Sequence, residues 1–165
     1  MLNWVKFDNI EALPKKQNID LYILVSDLID FVQPFIENKN IELIHSIKSE
    51  TIIDNWSDTL RVLLYNLIVN AIKATAYGTI QIGYEQNQNG YTIYVNDTGI
   101  GMNESLINYL TSGNLLDGFD HNNKSKSGNG VGYQIIRNVL NLMKASIVIK
   151  SKEHVGTSVM IKFTY

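Results

Sequence analysis

Between Ser57 and Ala76 the chain reads SDTLRVLLYNLIVNAIKATA, a helical spacing with an almost continuous apolar surface from Leu60 to Ala76. A helix that is apolar on most sides has to be covered on most sides, so this segment is expected at the centre of whatever fold the chain adopts. Three polar residues interrupt it. Asn66, Asn70 and Lys73 are four and three positions apart, which stacks them on one face. Two amides and an ammonium cannot be buried without partners except at considerable cost, so the stripe must meet water, other polar groups or a charged ligand. A solvated face explains three such residues on an ordinary surface helix. The flanks of this helix are too apolar for that explanation to suffice.

The rest of the chain supplies the cover. Residues 1–13 read as the tail of a helix, followed by a polar breaker at Pro14, Lys15, Lys16, Gln17 and Asn18. From Asp20, a good N-cap, apolar residues recur at Leu21, Leu24, Leu28, Phe31, Val32 and Phe35, the spacing of one helical face, with a kink or an early end expected at Pro34. Ile41, Leu43 and His45 alternate with Glu42, Ile44 and Ser46 as in a strand. Thr79–Gln86 and Tyr91–Asn96 flank Asn89-Gly90, a strong hairpin pair, and a second hairpin is expected at about Ser146–Ser151 and Thr157–Thr164, around Gly156. Residues 102–127 are polar and weakly periodic, a long lid-like loop with one short helix about Glu104–Leu110, and a further helix is expected over Val131–Met143. The expected order is α, β, α, β, β, α, β, β. Without repeated βαβ crossovers, the fold class that fits is α+β, a two-layer sandwich with helices on one face of a sheet.

Composition narrows the function. With 165 residues and 45% hydrophobic content the chain suits one core. The net charge of −2, with Arg61 and Arg137 the only arginines, argues against nucleic acid as a partner. The absence of cysteine excludes disulfides and thiolate metal sites and fits the cytoplasm. No apolar run approaches a membrane span and no cleavable leader opens the chain, so no membrane contact is expected of it. His45, His121 and His154 are scattered, without metal-ligand spacing, and no serine sits in a nucleophile elbow.

Two glycine clusters bear on a ligand. Asp97-Thr98-Gly99-Ile100-Gly101-Met102 follows a strand, which puts a carboxylate at the strand end and glycines where the backbone turns or approaches a ligand; turn chemistry alone would also account for the hexapeptide. Gly128-Asn129-Gly130-Val131-Gly132 precedes a helix, where free amides and the positive helix end suit an anion such as phosphate. The spacing is neither that of the dinucleotide fingerprint nor that of a P-loop.

Taken in order, NLIVNAIKAT (66–75), DTGIGM (97–102), GNGVG (128–132) and Gly156-Thr157 resemble the ATP-binding motifs of the histidine kinase family, within the superfamily shared with gyrase, the ninety-kilodalton heat-shock chaperone and the mismatch-repair ATPases. MLNWVKFD resembles the end of the second dimerisation helix of sensor kinases, and IDLYILV with IENKNIEL resembles the start of their catalytic domain. The resemblance implies a Bergerat fold on a mixed, mostly antiparallel sheet. It divides the chain into residues 1–18, a remnant of a dimerisation helix plus linker, and 19–165, the ATP-binding catalytic domain. Asp97 would accept a hydrogen bond from the adenine amino group, with Thr157 assisting through water. Gly99 and Gly101 would pass close to the base, and Gly128, Gly130 and Gly132 would wrap the phosphates. Asn70 would hold Mg²⁺, and Asn66 and Lys73 would act at the transferring phosphates.

The implied function is transfer of the ATP γ-phosphoryl group to a histidine on a separate dimerisation domain, with a response regulator downstream; the resemblance allows a membrane-anchored parent. No histidine here stands in an acceptor-like helical context, so self-phosphorylation of the fragment, expected to be monomeric, is not anticipated. Several positions depart from the family pattern. Ala74 stands where many sensor kinases carry an aromatic residue, residues 103–127 contain no arginine, and Met143-Lys144-Ala145 replaces the usual His-Gly-Gly. Phe119 is the candidate aromatic of the lid, and Lys124 or Lys126 would have to serve the phosphates. Two alternatives therefore stay open, a nucleotide-binding signalling module that has lost catalysis and an anti-sigma-type serine kinase.

Overall fold

The structure, a computed structural model, describes residues 15–111 and 131–165. The elements are β1 (Gln17–Asp20), α1 (Leu21–Val32), a 3-10 turn at Gln33–Phe35, β2 (Asn40–His45), β3 (Ile52–Asn55), α2 (Ser57–Ala74), β4 (Tyr77–Asn87), β5 (Gly90–Asp97), α3 (Glu104–Thr111), α4 (Val131–Met143), β6 (Ser146–Lys152) and β7 (Gly156–Thr164). The helix expected over 1–13 and most of the loop expected over 102–127, with Phe119, Lys124 and Lys126, lie outside the described residues, as do Gly128 and Gly130.

Local chemistry explains most boundaries. The Asp20 carboxylate accepts from the Ile23 amide at 3.2 Å, capping α1 as expected. Pro34 falls in the 3-10 turn, so α1 ends early at Val32 instead of continuing through a kink. The central helix stops at Ala74, two residues sooner than expected, because Thr75 turns to extended geometry and β4 begins at Tyr77.

Five strands form one sheet in the order β2-β4-β5-β7-β6. Asn40 of β2 lies opposite Tyr77 of β4 in a parallel pair, and the remaining pairs are antiparallel. Along β5, Tyr91, Ile93 and Val95 are buried while Thr92, Tyr94 and Asn96 are half-exposed, the alternation of a sheet with one covered face. The cover is α2, which packs on β4 and β5 and is flanked by α1 and α4. Leu60, Leu63, Leu64, Leu67 and Ile68 of α2 meet Ile80, Ile82, Ile93 and Ile161 of the sheet in a single core.

Two strands were not expected. β1 and β3 pair antiparallel, with Ile19 opposite Ile53, and form a separate two-stranded sheet. Each has four residues and puts one apolar side chain into the core, too short an alternation to stand out from the polar text around it. β3 also buries Asn55, whose Nδ2 donates to the Tyr91 hydroxyl at 2.6 Å.

Candidate functional site

Asp97 is the last residue of β5 and lies opposite Thr157 in the pairing with β7. Burial pushes its carboxyl above the ordinary carboxylate value, and the amides of Gly99 and Thr157 pull the other way by donating to it, the Gly99 amide at 2.9 Å. A half-buried carboxylate with two amide donors keeps unused acceptor capacity, the chemistry a purine amino group would engage. Thr157 is buried, and its hydroxyl lies 2.9 Å from Ser151 Oγ.

The turn after Asp97 is tied to the end of the central helix. Ile100 donates its amide to Ala74 O at 3.0 Å, and a Cβ at Gly99 would stand 2.4 Å from that same carbonyl. Gly101 has φ +69°, and a Cβ there would come within 2.0 Å of Lys152 O. Both glycines are thus required by the backbone itself. The turn is held from the other side by the Met102 amide donating to Ser151 Oγ at 2.8 Å and by the His154 amide donating to Ile100 O at 2.7 Å.

On α2, Asn66 and Asn70 are half-buried and Lys73 is exposed. The two amides face the start of α4: a Cβ placed on Gly132 would lie 3.3 Å from Asn70 Oδ1 and 3.9 Å from Asn66 Oδ1. Asn66 Nδ2 donates to Val62 O at 2.7 Å, which leaves its oxygen free to face that point. Asn70 Nδ2 is buried without a partner. Amide oxygens are hard donors of the kind Mg²⁺ takes together with phosphate and water oxygens, so the donor chemistry of Asn66 and Asn70 fits Mg²⁺. Among the described residues, no group of three or more His, Cys, Asp or Glu is arranged to hold a metal ion.

The structure therefore brings Asp97, Gly99, Gly101 and Thr157 together at one end of the sheet and Asn66, Asn70 and Gly132 together at the α2–α4 contact. Ala74, one helical turn beyond Asn70, joins the two groups. Ser151 and Tyr133 escaped sequence reasoning. Burial pushes the Tyr133 phenol up to about 12, and the Asp97 charge adds to that shift, so the ring stands within electrostatic reach of Asp97. Its place directly after the last glycine of the second cluster was the available signal. Ser151 had none, since its role depends on β6 pairing with β7.

Residues 56–165 match the family described as histidine kinase-, DNA gyrase B- and HSP90-like ATPases. The aerobic respiration control sensor protein ArcB homolog of Haemophilus influenzae is 30% identical over 142 residues, covering 84% of this chain and 42% of that protein. The sensor histidine kinase YvrG of Bacillus subtilis is 34% identical over 104 residues, 62% of this chain and 18% of that one. The catalytic domain of the histidine kinase ThkA superposes with a TM-score of 0.74 at 19% identity, covering 92% of this chain and 97% of that domain, a likeness of fold. The chain belongs to this ATPase family, as an ATP-binding catalytic domain of the sensor histidine kinase kind. It spans less than half the length of either curated relative.

Proposed function

We propose that this domain binds Mg²⁺-ATP and delivers the γ-phosphoryl group to a histidine on a dimerisation domain of its parent protein, which then serves a response regulator. The observation that carries the reading is the nearness of the Asn66 and Asn70 amides to Gly132 at the start of α4, linked by Ala74 to the turn that carries Asp97. A carboxylate for the base and amides for a cation beside phosphates stand at the two ends of one helix turn.

The roles follow from chemistry. Asp97 accepts from the adenine amino group, and Thr157 orders a water beside it. Gly99 and Gly101 let the turn lie flat against the base. Asn70, with Asn66 beside it, supplies amide oxygen to Mg²⁺, which when bound offsets charge on the phosphates. Lys73, exposed one turn further, reaches the phosphate chain as a mobile ammonium. Gly128, Gly130 and Gly132 complete the phosphate end. In the transfer itself an imidazole nitrogen bonds to the γ-phosphorus while the bond to the bridging oxygen breaks and ADP leaves. Catalysis is then a matter of position and charge neutralisation.

The domain is proposed to work in the cytoplasm, joined to its acceptor domain through the residues before 19. No helix among the described residues is long and apolar enough to cross a membrane. Calorimetric titration with ATP, with and without Mg²⁺, tests binding, and Asp97→Asn serves as the control. Incubation of the ATP-loaded protein with the parent's dimerisation domain then tests transfer, read as acid-labile phosphate on the acceptor. Absence of binding at millimolar ATP would remove the kinase reading. Binding without transfer would favour a nucleotide-sensing module.

A further inference from the structure

We propose that Lys39 is a positioning residue for the nucleotide site, holding the C-terminal end of α2 in the place from which it supports both the Asn70–Lys73 face and the turn carrying Asp97. The inference rests on the nucleotide reading above and adds to it a residue outside the nucleotide-binding motifs, within the IENKNIEL stretch.

The topology delivers Lys39 there. β2 runs parallel to β4 with Asn40 opposite Tyr77, and β4 begins only two residues after α2 ends. The residue just before β2 must therefore lie beside the last turn of α2. Lys39 is also pinned by its own backbone, donating its amide to Ile36 O at 2.8 Å and accepting from the Ile41 amide at 2.9 Å. Its half-buried side chain donates from Nζ to Ile72 O at 2.7 Å and reaches Thr75 O at 3.4 Å.

A helix leaves its last carbonyls without intrahelical donors. Here Lys39 serves Ile72 and Thr75, and the Ile100 amide serves Ala74. The ammonium also faces the negative end of the helix dipole. The Thr75 hydroxyl is fully buried and makes no hydrogen bond, so it does not substitute for the lysine. The carbonyl that fixes Ile100, and through Gly99 the Asp97 carboxylate, lies between the carbonyls that Lys39 holds. Releasing the lysine frees the last turn of α2, and with it the spacing between the adenine and phosphate ends of the site.

A cap that only stabilised the helix would change melting temperature and leave the site's geometry alone. The test therefore compares Lys39→Met and Lys39→Arg by two measurements made well below the melting temperature. The first is amide exchange of Ile100 in the nucleotide-free protein, relative to Ile93 within the sheet. The second is calorimetric ATP affinity with Mg²⁺. In Lys39→Met the Ile100 amide is expected to exchange about tenfold faster while Ile93 changes little, and ATP affinity to fall about three- to tenfold, the scale of losing one ordinary hydrogen bond. Lys39→Arg, which keeps the charge and the donors, is expected to recover most of both. Unchanged affinity, or exchange that rises equally at Ile93 and Ile100, would overturn the proposal. If the unmodified protein itself fails to bind ATP, the nucleotide reading falls, and the exchange comparison still decides whether Lys39 fixes the turn. Should Lys39→Met not fold, Lys39→Gln, which keeps a donor without the charge, takes its place in both measurements.

Discussion

Asp97 and Thr157 stand opposite each other on neighbouring antiparallel strands, and the Thr157 amide donates to the Asp97 carboxylate from across the ladder. The acceptor proposed for adenine is thus shaped by two strands and by the turn that follows one of them. Its side chain answers to the whole end of the sheet.

Asp97→Asn is expected to separate binding from stability. Burial raises this carboxyl above its ordinary value of 3.8, by more than its amide donors lower it. In the interval above 3.8 the folded protein then holds a proton that the unfolded chain has released. The group's stabilising contribution is fully present below that value and is lost as pH rises through the folded value, so at neutral pH the ionised Asp97 costs stability. The variant should melt at or above the parent temperature at pH 7, with the gap narrowing toward pH 4, and should not bind ATP at either pH. Thermal melts at the two pH values, paired with calorimetry, check this.

Asn70→Ala is expected to remove the Mg²⁺-dependent part of ATP affinity and to leave binding in the presence of a chelator little changed. The Asn70 Nδ2 atom is already without a partner, so deleting the amide strands no group that hydrogen-bonds to it. The thermal cost should accordingly stay near or below about 1 kcal/mol. Titration with and without Mg²⁺ reads the difference. An unaltered Mg²⁺ response would move the cation elsewhere.

Gly101→Ala should damage the site through the backbone alone. The position has φ +69°, and a methyl group would sit 2.0 Å from Lys152 O. The strained conformation costs about 1–2 kcal/mol before any clash is counted. The loop has to shift away from β6, which predicts loss of ATP binding in a protein whose far-ultraviolet circular dichroism is unchanged.

Tyr91→Phe acts at the other end of β5. It leaves the buried Asn55 Nδ2 without its 2.6 Å acceptor, a loss of about 1–3 kcal/mol, or several degrees in melting temperature for a domain of this size. Tyr91 and Asp97 are six residues apart along one strand, about 20 Å at the usual rise. ATP affinity should therefore be unaffected, and a change in it would mean that strain travels along β5.

The sequence made the helices and hairpins legible because each carries a long repeat of its period or a turn with specific chemistry. Asp20 as a cap and Val131–Met143 as a helix are of this sort; the hairpin expected at Asn89-Gly90 also forms, but with Gln88 and Asn89 at its tip and Gly90 already paired with Asn87. The placing of Asn66 and Asn70 on one face followed from helical spacing alone, and Gly132 lies beside them. β1 and β3 were not legible, since four residues give an alternation too few turns to register. Lys39, Ser151 and Tyr133 were missed for another reason. Their parts depend on which strand or helix lies alongside, and only the assembled fold fixes that.

Asp97 and Thr157 are sixty positions apart in the chain and meet only through the β5–β7 ladder. Closing so long a loop has an entropic cost that local structure does not offset, and pairings of this separation slow folding. The proposed nucleotide pocket consequently exists only in molecules that have completed this long-range pairing. ATP binding in such a chain counts finished molecules, and saturating nucleotide draws late folding intermediates toward the native state by mass action.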